Sequence, residues 1–318
     1  MKPHKTHEAQ LDLLLSRGLE IEDYDSFLAF LREQNYYRLR GYFHPFLNSQ
    51  DGKTEPDFKA GTTGESIKGL VEFDRSLRNL LFEGLSEFET QFRSILAYHA
   101  GEVNPQIHLN GIGLTSDFKN HRPEGRKSYF EDWQEGYAAA LRKQEHNDIV
   151  IWHSEAYDGL MPIWAAVEIL DFGKISRLYR GFEEALATRI ASEFGSGAYF
   201  LKSAVSSLND LRNHVAHQSR IWNFQYPISP TTRLKKLPYE LQHLNALTDS
   251  EVHKLAAKLS LLLWLDREGG LRIDFTNRLF QVLNQFPDST SLSLSSMGYS
   301  DHFKSSTLWN GFEPLNGI

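Results

Sequence analysis

From Ile67 to Leu96, apolar side chains recur at helical intervals, through Ile67, Leu70, Val71, Phe73, Leu77, Leu80, Leu81, Leu85, Phe88, Phe92, Ile95 and Leu96. This period predicts one helix of many turns, or two nearly continuous ones. Spacing elsewhere is helical too. Leu11, Leu14, Leu15 and Leu19 form a first stripe, with Gly18 as its stop, and Asp25-Ser26 is a cap signal for a second helix carrying Phe27, Leu28, Phe30 and Leu31. Further helices are expected over 129–143, from Pro162 to a stop near Phe172-Gly173, and over 175–182, 185–194, 199–217, 252–265 and 273–286. Residues 50–63, 102–128 and 223–239 read as loops. The expected fold class is all-α, a multi-helix bundle. It forms one helical domain over 1–286, followed by a weakly ordered Ser-rich tail over 287–318.

Composition narrows the chemistry. A chain of 318 residues suits one large helical protein as well as two units, but no internal repeat or clean linker divides it. Zero cysteines exclude a disulfide framework, a thiolate metal site and a cysteine nucleophile. The 34 Lys+Arg against 41 Asp+Glu leave a net charge of -7, so any nucleic acid must be gripped by a local cluster rather than a cationic coat. With a mean hydropathy of -0.44 and only a short apolar stretch at Leu11–Leu15, no signal peptide or membrane span fits. A soluble, cytoplasmic protein without a membrane partner is expected. There is no glycine-rich phosphate loop, no HExxH and no GxSxG. His4 and His7 read as a solvated terminus rather than a metal pair, and neither a metal nor a cofactor is expected.

The most informative stretch is Leu208-Asn209-Asp210-Leu211-Arg212-Asn213-His214-Val215-Ala216-His217-Gln218-Ser219-Arg220-Ile221-Trp222-Asn223. On an ideal wheel, Arg212 projects near the middle of the stripe of Leu201, Ala204, Val205, Leu208, Leu211 and Val215. A guanidinium in an apolar seam calls for an anion. The plainest partner is a carboxylate, for which Glu168 is the candidate. Asn213 and His217 share a face, whereas Arg212 and His217 lie roughly 140° apart. Both reach one phosphate only if the helix distorts near Ala216, or if a second copy of the helix faces the first, which is the favoured resolution. A histidine proton shuttle beside an arginine clamp suits cleavage of an RNA phosphodiester, with the ribose 2′-hydroxyl as nucleophile and DNA resistant.

Arg212-Asn213-His214-Val215-Ala216-His217 resembles the R-x4-H signature of the HEPN ribonuclease superfamily. The wider chain is similar to the Abi family of bacterial abortive-infection proteins, the AbiD/AbiF or Abi_2 group. The resemblance runs from about Leu11 to Asn223, through Asn35–Tyr42, Phe73–Arg78, Met161–Trp164 with Glu168, Phe172–Ser176 and Arg220–Asn223; Asp171 departs from the small polar residue more usual before Phe-Gly. It implies a HEPN-like helical core, a homodimer and a metal-independent endoribonuclease of a phage-defence or toxin system. Arg212 and His217 would then be catalytic and Asn213 supporting. RNA would be the substrate, and such a system would include a phage-derived trigger or a cognate inhibitor. Arg38, Arg40, Arg75, Arg78 and Arg220 are candidates for contacts with RNA phosphates, and Trp222 for packing. Two other readings fit the same residues: a non-catalytic RNA- or protein-binding module, and the neutralising partner of a toxin.

Overall fold

The computed structural model describes residues 3–48, 56–120, 122–231, 237–268 and 270–312. Among them every regular element is helical, and extended pairing is limited to isolated bridges such as Leu114 with Phe182.

Three helices open the chain: α1 (His7–Ser16), α2 (Tyr24–Glu33) and α3 (Tyr36–Phe43). Helix α1 ends as its glycine predicts. Gly18 takes a φ of +87°, and the amide of Leu19 returns to the Leu14 carbonyl at 3.1 Å. Helix α2 starts slightly ahead of the Asp25-Ser26 signal, because the Asp23 carboxylate accepts from the Ser26 amide at 2.9 Å.

The long periodic run is a single helix, α4 (Gly64–Val103), of 40 residues. At 1.5 Å per residue it is a rod about 60 Å long. Its apolar stripe is buried from Ile67 to Ala100, and the other helices are arranged along it. Short α5 (Ile107–Asn110) and α6 (Ser116–Lys119) follow, in the stretch over 102–128 that reads as a loop, for which exposure at the surface is the rule. Instead Ile107, Leu114 and Phe118 point inward and are buried. After α7 (Tyr129–Lys143) comes helix α8 (Asp148–Tyr157), which the sequence does not announce; it leaves Ile151, Trp152 and Tyr157 exposed, so it lacks the buried stripe that marks a helix in sequence.

Helices α9 (Ile163–Ile169), α10 (Phe172–Gly181), α11 (Glu184–Ser192) and α12 (Ala198–Ala216) lie against α4 and one another. Helix α13 (Leu255–Arg267) is buried on every side from Leu255 to Leu265, as an apolar helix at the centre of a bundle must be, and α14 (Phe275–Leu283) closes the bundle against α4.

The segment from Pro287 corrects the expectation of a weakly ordered tail. Residues 287–312 carry α15 (Asp301–Lys304) between two short 3-10 turns, and bury Leu294, Met297, Tyr299, Phe303, Leu308 and Trp309. The Trp309 indole donates to Ser260 of α13 at 3.0 Å. The serine spacing suggests solvation, but the apolar residues between the serines supply enough burial to dock the segment. Residues 313–318 of the expected tail lie outside the described residues.

Candidate functional site

Helix α12 carries the motif. Its stripe from Phe200 to Val215 is buried, and Arg212 emerges at the stripe with its side chain 33% exposed. The anion that this placement requires is present. Arg212 Nε donates to Glu89 Oε2 at 3.0 Å. Glu89 sits on α4 between Leu85, Phe88 and Phe92, itself buried in an apolar stripe. Its other oxygen, Oε1, accepts from Arg93 Nε at 3.2 Å and also from Arg93 Nη2. Arg93 in turn donates from Nη1 to the carbonyl of Leu170 at 2.7 Å and to that of Val167, at the end of α9, where the helix dipole favours a cation. One carboxylate therefore bridges two guanidiniums. Glu168, the candidate partner from sequence, is exposed beside Trp164 on the outer face of α9 and does not meet Arg212.

The helix stays regular to its end. His217 is the C-cap, Gln218 takes a left-handed φ of +55°, and the amides of Gln218 and Ser219 donate to the carbonyls of Val215 and His214, each at 3.0 Å. This is the paired closure usually built around glycine. No distortion near Ala216 swings His217 toward Arg212, so they remain roughly 140° apart around the axis. Asn213 and His217 are both exposed, one turn apart on the same face. His214, between them, turns inward: its Nδ1 lies 2.9 Å from the Asp210 carbonyl, and its ring is 4.4 Å from that of Phe224.

The chain beyond the motif is anchored on α4. Asp74, fully buried, accepts from Arg78 Nη1 at 2.6 Å, from the Tyr42 hydroxyl at 2.7 Å, and from the amides of Ile221 and Trp222 at 3.0 and 2.8 Å. Burial, and then the Asp74 carboxylate, push the Tyr42 phenol far above its usual pKa. Arg78 also donates from Nε to Gln218 Oε1 at 3.1 Å. Below the helix, Lys258 of α13 is fully buried and donates to the Ser207 carbonyl at 2.9 Å, the Ile228 carbonyl at 2.6 Å and Asp210 at 3.4 Å. Burial lowers its pKa to about 8.

The arginines expected to line an RNA groove do not share one environment. Arg78 is interior, a correction that follows from its pairing with buried Asp74. Arg220 is half-buried, donating to the Gly41 carbonyl on α3, where a Cβ would collide with its guanidinium. Trp222 packs in the core, fully buried. Arg75 is exposed and paired with Glu72 at 3.3 Å, Arg38 is half-buried, and the Arg40 guanidinium is 5.9 Å from the Tyr37 ring centroid. Asp171 caps α10, accepting from the Lys174 amide at 2.9 Å, which gives the departure from the expected small polar residue a local purpose.

These anchored segments are the ones that carry the likeness read in the sequence, and the profile of the Abi-like protein family matches residues 29–223. The chain belongs to the Abi-like protein family. No curated protein and no solved structure matches it. Family membership points to an abortive-infection protein. The matched region ends at Asn223, so it includes the Glu89 and Asp74 networks and all of α12, while α13 to α15 lie beyond it. Among the described residues no helix is long and apolar enough to cross a membrane.

Glu89 and Arg93 are the site residues that sequence reading misses. The signal is present: a carboxylate inside the apolar stripe of α4 is the counterpart of an arginine inside the stripe of α12.

Proposed function

We propose that this Abi-like protein is a metal-independent endoribonuclease of an abortive-infection system, acting as a homodimer on RNA in the cytoplasm. One observation carries the reading: α12 ends by presenting Asn213 and His217 to solvent on one face, while Arg212 is held part-exposed by a carboxylate it shares with Arg93. A solvent-facing imidazole with an amide one turn before it suits proton transfer to an incoming substrate. A guanidinium already desolvated on one side suits a phosphate. The separation of roughly 140° between them favours a site completed by a second copy, in which two α12 ends face each other.

In that site the 2′-hydroxyl loses its proton to one His217 and its oxygen attacks the adjacent phosphorus. The P–O5′ bond breaks, and the leaving 5′-oxygen takes a proton from the partner's His217. Arg212 neutralises charge building on the phosphoryl oxygens. The products are a 2′,3′-cyclic phosphate, open to hydrolysis to a 3′-phosphate, and a 5′-hydroxyl end; DNA, lacking the nucleophile, is not cut.

The test is cleavage of single-stranded RNA in EDTA by wild type, His217→Ala and Arg212→Ala. Loss of about a hundredfold or more in rate in the His217 variant, with unchanged helical circular dichroism, is expected. Equal cutting by the variant would remove His217 from catalysis. A fully active monomer would refute the composite site. The Arg212–Glu89 pair is also what a purely structural arginine would make, so a non-catalytic binding module is the second reading; it is adopted if purified wild type binds RNA and never cuts it.

A further inference from the structure

Helices α1 and α3 enclose a cleft of about 560 Å³ that the proposed chemistry does not use. Lys5, His4 and His7 enter it from the start of α1, and Tyr37 and Arg40 from α3. In a chain where 41 Asp+Glu outnumber 34 Lys+Arg, no carboxylate lines this cleft among the described residues. Glu8, the nearest acid in sequence, is drawn off to Arg32 at 2.7 Å. Local charge is therefore positive against the sign of the whole chain, as electrostatic capture of an anion requires.

The aromatic component narrows the ligand. Tyr37 is 65% exposed, and the Arg40 guanidinium lies 5.9 Å from its ring centroid. An exposed ring with a cation beside it stacks a nucleobase, and flanking basic side chains take the phosphate. The cleft volume lies within the roughly 300–1,000 Å³ of small-ligand sites. We propose that this cleft is a nucleotide-binding site, taking a base against Tyr37 and its phosphate against Lys5 and Arg40. The site lies apart from Arg212 and His217 and does not require that those residues catalyse. It is linked to the motif segment through α3: Arg40 precedes Gly41, whose carbonyl accepts from Arg220, three residues past His217.

The test is fluorescence anisotropy with a labelled oligoadenylate, using the full chain carrying His217→Ala so that the probe stays intact. Tyr37→Ala, and Lys5→Glu with Arg40→Glu, should each raise Kd about tenfold or more, with Tyr37→Phe close to the parent because it keeps the ring. These side chains are on the surface, so circular dichroism should not change. Affinities close to the parent's in both variants, or no binding by the parent at micromolar protein, would overturn the site. Competition separates the sources: displacement by AMP identifies a free nucleotide, and displacement only by unlabelled oligomer identifies an RNA chain. Inorganic phosphate competing as well as AMP would overturn the role of Tyr37.

Discussion

Arg78 Nε donates to Gln218 Oε1 at 3.1 Å, joining the middle of α4 to the first residue past the motif histidine. Gln218 is one of two non-glycine residues described with positive φ, the other being Asp158. A side chain in the left-handed region costs on the order of 1 kcal/mol relative to glycine, and the clamp offsets it. The turn that closes α12 just after His217 is thus held by a buried arginine of α4.

Asp74→Asn should be strongly destabilising, by about 3 kcal/mol or more, because it leaves Arg78 buried without a counter-charge. The midpoint of urea denaturation reads this out. Arg75→Ala, which removes an exposed side chain on the same helix, should change stability by no more than about 0.5 kcal/mol. Similar losses in the two variants would mean that the buried pair is not what secures this end of the bundle.

Glu89→Gln should cost more stability than Arg212→Ala. The first removes the charge that two guanidiniums share, for a loss of about 2–3 kcal/mol, while the second leaves Glu89 paired with Arg93 and costs about 1 kcal/mol. Thermal unfolding of the two single variants and the double variant measures their coupling. The reverse order would sink the description of Glu89 as a shared anchor.

Acid should weaken the fold through His108. Its ring is fully buried, neither nitrogen has a hydrogen-bond partner among the described residues, and burial lowers its pKa to about 4. The folded protein therefore binds the proton less readily than the unfolded chain. Stability from this group is complete above the unfolded pKa of 6.5 and falls as pH drops toward 4, by about 3 kcal/mol at most. His243, lowered to about 4 chiefly by burial, acts in the same direction. Chemical denaturation followed from neutral pH down to about 4 should show a shallower pH dependence for His108→Phe than for wild type.

Removing the α10 cap with Asp171→Ala should cost about 1 kcal/mol, since the Lys174 amide loses its acceptor. Asp171→Ser should recover most of that loss. No difference between the two in thermal midpoint would argue against capping as the role of this residue.

The helical architecture is legible in the sequence because α4 and α12 bury continuous stripes at the helical period. Helix α8 is not, since its large side chains face solvent and leave no stripe. The C-terminal segment reads as a tail because its serines are evenly spaced, while the contacts that dock it, such as Trp309 with Ser260, come from elements remote in sequence. At the site, the need of Arg212 for an anion follows from the wheel, but Glu89 lies 123 residues away, and no local pattern specifies which acid closes such a distance. Asp74 is readable only as part of a likeness; that it gathers two amides, a phenol and a guanidinium is a property of the folded chain.

Sharing Glu89 between two arginines has a consequence for any exchange of ligands. Were a phosphate to draw Arg212 away, the abandoned carboxylate would still be neutralised by Arg93, itself tethered to the end of α9. Letting go would strand no lone ion in the protein interior, so the charge balance beneath Arg212 would survive such an exchange.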